Sequence, residues 1–213
     1  MEITVPYINE DFFSETPQKS VELILTNNNW SADYPYSPEI KVNLWHNGTK
    51  LFIHYEVNEE YVMALASEDN GEVWKDSCAE MFISFDKEGY YNLESNCIGK
   101  ILLSHRKGRN LNVEYAPQSI LNQVIRKSTL GDSIIPGRKQ SEKWEMNLEI
   151  PASTFFKQNF KRFDGIHAKF NLYKCGDNLP SPHFISLFPI HTEKPDFHRP
   201  EFFGDIYFEE PEF

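Results

Sequence analysis

The chain has 213 residues, 40% of them apolar and 15% aromatic, which suffices for one domain over residues 1–213 with a sizeable core. Its formal net charge of −11 offers no basic patch to neutralise phosphates, so nucleic acid is excluded as an expected partner. No run approaches the ~18 apolar residues of a membrane helix, so no membrane partner is expected either.

The opening segment, MEITVPYINEDFF, has neither a basic n-region nor an apolar h-region. With a start at Met1, the expected location is the cytoplasm rather than outside the cell. The three cysteines, Cys78, Cys97 and Cys175, are too few and too scattered for a disulfide framework or a zinc site, and are expected to be free thiols.

In chain order, the first clear signal is residues 40–57. Ile40, Val42 and Leu44 alternate before Asn47-Gly48, and Leu51, Ile53, Tyr55 and Val57 alternate after it, which predicts a hairpin with a primed turn. Residues 61–66 read as a strand or connector. Residues 78–86 read as a strand ended by the turn Asp86-Lys87-Glu88-Gly89, and residues 90–99 as the next, continued or paired by 100–105. Residues 106–118 are basic and polar and read as a loop; 122–130 is a weak strand and 131–142 is turn-rich. On residues 143–151, Trp144, Met146, Leu148 and Ile150 face one way and Glu145, Asn147 and Glu149 the other. One or two helical turns follow Pro151. Strands are expected at 167–175, 182–190 and 203–210, with a Pro-punctuated loop before the last. About ten short strands with regular turns and no long helix predict an all-β, antiparallel β-sandwich.

Two strands carry unusual polar faces. One shows Tyr90, Asn92, Glu94 and Asn96; the other shows Lys169, Asn171, Tyr173 and Cys175. Short amides and carboxylates hydrogen-bond directionally to hydroxyls, and aromatic rings offer flat apolar faces, a pairing that suits a sugar. Trp74, at a turn-like position, and Glu80, six residues on, add a platform and a hydroxyl acceptor. Asp76 and Ser77 between them are expected to fix the loop.

The succession W-K-D-S-C-A-E-M-F-I-S-F-D (74–86), Y-x-N-L-E-x-N from Tyr90, N-L-Y-K-C-G-D (171–177), P-H-F-I-S (182–186) and P-D-F-H-R-P-E-F-F-G (195–204) resembles the family 9 carbohydrate-binding modules, over residues 20 to 210. The resemblance implies a β-sandwich that grips one or two sugar units, often a chain end, between two aromatic side chains without catalysis. By the same resemblance Trp74 is the first platform, Glu80 the carboxylate on sugar hydroxyls, and Phe197 the second platform, where family members carry Trp. Asn171 or Tyr173 would line the pocket, and Glu94 or Asn96 would replace an Arg that the family places on the strand after the carboxylate and that Asn92, Glu94 and Asn96 do not supply. No cofactor is expected, although some members hold structural calcium, for which Asp76, Asp86 and Asp177 are the candidates.

Two rival readings follow. Glu80 and Glu94 could serve as the acid and base of a glycoside-acting enzyme if roughly 5 to 9.5 Å apart. Related sandwiches bind haem through His or Met, which makes His54, His105, His167, His183, His191 and His198 the axial candidates.

Overall fold

Alternation with a period of two sets the architecture. The computed structural model describes residues 2–10, 16–139 and 143–212. Sixteen strands run through the described residues: β1 (Glu2–Val5), β2 (Val21–Ile24), β3 (Asn27–Asn28), β4 (Glu39–His46), β5 (Lys50–Asn58), β6 (Tyr61–Ala64), β7 (Cys78–Ser84), β8 (Tyr90–Asn96), β9 (Ile101–Arg106), β10 (Glu114–Tyr115), β11 (Ile125–Ser128), β12 (Ile135–Lys139), β13 (Trp144–Pro151), β14 (His167–Cys175), β15 (Phe184–Ser186) and β16 (Gly204–Phe208). The only α-helix among those residues is the single turn Gln118–Leu121, and none is long and apolar enough to cross a membrane.

The strands form a β-sandwich. One sheet runs β1-β16-β14-β7-β8-β9-β10, with β15 and β3 attached at β14. The other runs β11-β13-β5-β4-β2, and β6 pairs with β12 apart from both. All pairs between named strands are antiparallel except β1 with β16. Met81 and Ile83 of β7, Leu93 of β8, Leu172 of β14, and Trp144, Met146, Leu148 and Ile150 of β13 fill the space between the sheets. Each fully buried residue of that size contributes about 1.5–3 kcal/mol.

The predicted hairpin forms, with β4 and β5 in register from Glu39–Asn58 to His46–Leu51. Gly48 alone takes positive φ (88°), as a type II′ turn requires at its first central residue. Asn47 contributes its side chain instead, its Oδ1 accepting from the N–H groups of Thr49 and Lys50 at 3.1 and 2.8 Å.

Local pattern under-read several segments. The turn-rich 131–142 contains β12, whose zigzag is hidden by Pro136 and Gly137 and shifts register against β6; residues 140–142 lie outside the described residues. The polar loop at 106–118 begins on β9 and includes β10. The short β1, β2 and β3 precede the first predicted strand. The helix expected after Pro151 is one 3-10 turn, Ala152–Thr154.

The large sheet departs from the usual antiparallel rule of one packed and one wet face. Every residue of β8 is buried, and all of β7 except Ser84. The outer face of β7, β8 and β14 is covered by a second apolar cluster built on Trp30, Val73, Phe82, Tyr90, Tyr173 and Phe197. The three cysteines are free and buried.

Candidate functional site

A cleft of about 630 Å³ opens in that outer layer. Its floor is set by register. Glu80 lies directly opposite Glu94 across β7 and β8 and opposite Tyr173 across β7 and β14. Glu94 is in turn opposite Leu102, and Tyr90 opposite Arg106, across β8 and β9. Glu80, Glu94, Leu102 and Arg106 therefore share one face.

Trp74 stands at the mouth on a single 3-10 turn, Val73–Lys75. Val73 is fully buried and anchors the turn, while the indole is half-buried and lines the cleft. Asp76 fixes the loop as expected: its carboxylate accepts from the N–H groups of Leu65 and Ala66 at 2.9 and 3.0 Å and from Asn96 Nδ2 at 2.9 Å. Ser77 accepts from the Met63 N–H. The loop before β16 adds Asp196, Phe197 and His198 to the lining. Tyr34 and Tyr115 add further rings to the lining.

The floor is electrostatically unusual. Burial, reinforced by the Glu94 charge, pushes the Glu80 carboxyl well above the ordinary range. Burial pushes Glu94 up to about 7, against the pull of the Asn92 amide and the Arg106 charge. Protonated acids both donate and accept, so this floor can meet hydroxyls in either sense. Glu80 Oε1 accepts from the Cys175 thiol at 3.0 Å, and Glu94 Oε1 from Asn92 Nδ2 at 2.8 Å. Glu94 Oε2 is buried with no hydrogen-bond partner among the described residues.

A relay runs from there to Arg106. Ser104 Oγ donates to Asn92 Oδ1 at 2.5 Å and accepts from Arg106 Nε and Nη2 at 2.9 and 2.6 Å, while Arg106 Nη1 donates to the Arg109 carbonyl at 2.8 Å. Three of the five guanidinium N–H groups are thus engaged. The basic residue missing from β8 is present one strand later. The alternation Leu102, Ser104, Arg106 was the available signal, obscured because Arg106 opens a basic stretch that reads as loop. His198 was also missed as a wall residue. It pairs with the Tyr90 hydroxyl at 2.9 Å, and burial together with Arg106 and Arg109 lowers its pKa to about 3, so the ring is neutral.

Of the eight candidates, Trp74, Glu80, Glu94 and Phe197 line the cleft. The other four do not, and each has a structural reason. Asn92 is the buried link between Glu94 and Ser104. Asn96 donates to the Ala66 carbonyl and to Asp76. Asn171 spends its amide on the Phe188 backbone, accepting at 2.9 Å and donating at 3.1 Å. Tyr173 lies under Phe197 and donates to its carbonyl at 3.2 Å. Phe197 itself is 8% exposed and wedged among Tyr173, Trp30 and Phe184, so it presents little free ring face.

Asp76, Asp86 and Asp177 form no common cluster among the described residues, and Asp76 already accepts from three N–H groups. The six histidines named as axial candidates are dispersed along the chain, and of these only His198 lines the cleft.

The model of carbohydrate-binding family 9 matches residues 16–208. Over 98% of this chain and 100% of the other, with 36% identity and a TM-score of 0.88, the fold is that of a Bacteroides uniformis protein classed provisionally as carbohydrate-binding. It also resembles a family 9 carbohydrate-binding module from Caldicellulosiruptor kristjanssonii, solved with cellotriose and with glucose, at 14% identity and a TM-score of 0.63 in both cases. These alignments cover all of this chain and 95% and 97% of the others. No curated protein matches significantly. The family match across nearly the whole length and the close likeness to the Bacteroides protein lead to one conclusion: the chain belongs to carbohydrate-binding family 9.

Proposed function

We propose that this chain binds a carbohydrate without transforming it, holding one sugar unit or a chain end in the cleft. The observation that carries the reading is the meeting of a half-buried Trp74 with the opposed Glu80–Glu94 pair on the floor beneath it. A pyranose has C–H faces that stack on an indole and equatorial hydroxyls that reach a carboxyl group and a guanidinium at the ring edge. The glucose and cellotriose held by the Caldicellulosiruptor modules make β-glucose units the first ligands to test.

Binding is favoured over glycoside hydrolysis by the placement of the carboxyl groups. Hydrolysis needs an acid and a second carboxylate flanking the scissile bond. Glu80 and Glu94 stand opposite each other on adjacent strands of one floor, where burial raises both carboxyls together, whereas hydrolysis needs one protonated and one ionised.

Calorimetry against glucose, cello-oligosaccharides and a broader glycan panel tests the reading. Saturable binding to at least one glycan, weakened tenfold or more by Trp74→Ala, is the expected result. Silence across the panel, or release of reducing sugar from it, overturns the reading.

A further inference from the structure

Cys78 and Glu80 meet Cys175, which is distant in sequence, beneath the floor of the cleft. Cys78 and Glu80 are two residues apart on β7 and so share a face, and register sets Cys175 of β14 directly opposite Cys78. Cys175 Sγ is 3.0 Å and Cys78 Sγ 3.8 Å from the same oxygen, Glu80 Oε1. All three potential ligand atoms lie within 4.8 Å of one another.

These spacings match one tetrahedral ion. With metal–sulfur bonds of about 2.3 Å and metal–oxygen bonds of about 2.0 Å, tetrahedral angles put sulfur and oxygen roughly 3.5 Å apart and two sulfurs roughly 3.8 Å apart. The two observed sulfur–oxygen distances bracket that value. Glu80 and Cys175 line the cleft, so an ion held here has access to solvent on that side. We propose that Cys78, Glu80 and Cys175 form a binding site for a thiophilic divalent ion of the zinc class, with its fourth position open to the cleft.

The donor set determines the class of ion. Two thiolates and one carboxylate suit zinc and its soft neighbours, whereas calcium and magnesium require oxygen donors throughout. Binding replaces the two thiol protons, and the carboxyl proton where present, with the ion, and those protons leave to solvent through the cleft. The other cluster of potential ligands among the described residues, His54 with Glu56 and Glu145, is a weaker candidate because Lys41 and Lys143 already neutralise Glu56.

The test needs no sugar and so stands or falls apart from the carbohydrate reading. Reduced, chelator-treated full-length protein is titrated with Co²⁺ and its absorption recorded. One equivalent should produce thiolate-to-cobalt charge transfer and the intense visible bands of a tetrahedral ion, both removed by Zn²⁺. Cys97→Ser should leave the spectrum unchanged, Cys78→Ser/Cys175→Ser should abolish the charge transfer, and Glu80→Gln should weaken binding about tenfold or more. Should the double variant fail to fold, the single variants Cys78→Ser and Cys175→Ser, each expected to lose about half of the charge-transfer intensity, give the same information. Absence of the charge-transfer band, its survival in a folded double variant, or its loss in Cys97→Ser overturns the proposal.

Discussion

Phe197 lies flat on Tyr173, with ring centroids 4.1 Å apart and planes 7° from parallel. One face of the phenyl ring is therefore occupied by a neighbouring side chain, and Trp30 and Phe184 crowd it at 6.2 and 6.1 Å. Trp74, by contrast, is half-buried on a surface turn. The two aromatics expected to share one role are placed for different ones.

Phe197→Ala should therefore act mainly on stability, costing about 3 kcal/mol or more by leaving a cavity under the loop. Trp74→Ala should cost about 1 kcal/mol or less while weakening glycan binding at least tenfold. Chemical denaturation paired with calorimetry on both variants separates the effects; a Trp74→Ala chain that unfolds would return the indole to a packing role.

Glu80→Gln should weaken glycan binding by roughly one to two powers of ten, the range for losing a hydrogen bond to a charged group or an acid donor. Calorimetry with the best glycan checks this. Unchanged affinity would assign the hydroxyl contacts to Glu94 and Arg106 instead.

On the inner face of β14, Lys174 is fully buried and 2.8 Å from the equally buried Glu59 carboxylate, which also accepts from Trp144 Nε1 at 2.8 Å. Lys174 donates to His183 Nε2 at 2.8 Å, and burial and that charge hold the imidazole well below its usual pKa. Lys174→Met leaves a buried carboxylate unpaired and should cost about 3–5 kcal/mol. The Glu59→Gln/Lys174→Met pair should recover much of that loss, as a double-mutant cycle in urea will reveal.

His46 sets an acid limit. It is fully buried, its Nδ1 accepts from the Gly48 N–H at 3.1 Å, and burial lowers its pKa to about 4 despite Asp164 at 4.0 Å. The unfolded chain binds this proton near pH 6.5, so the stabilisation present above that pH is lost as pH falls toward 4. The loss amounts to up to about 3 kcal/mol. Urea unfolding at pH 7, 5.5 and 4 measures it, and His46→Gln should flatten that limb of the profile.

Much of this was legible in the sequence, for reasons tied to particular residues. The 40–57 hairpin announced itself because alternation and turn chemistry agree locally. Glu80 was legible because a carboxylate among the apolar residues of its strand stands out, and Glu94 because it shares one strand face with the short amides Asn92 and Asn96. Alternation assigns a side chain to a face but does not say whether its hydrogen bonds are already spent. Asn171 shares a face with Tyr173, yet its partner Phe188 lies 17 residues away. Arg106 faces the floor only because β9 pairs with β8 in one register. Cys78 and Cys175, nearly a hundred residues apart, became neighbours by the same kind of long-range pairing.

Cover on both faces of β7, β8 and β14 has a dynamic consequence. Amide protons at Met81, Leu93 and Leu172 sit in hydrogen-bonded strands sealed above and below, so they should exchange with solvent only when the whole domain opens. The carboxyl groups proposed to meet a ligand stand on this slowest-exchanging part of the chain. A guest in the cleft meets a floor that needs no ordering on binding, and what adjustment occurs falls to the loops that carry Trp74 and Phe197.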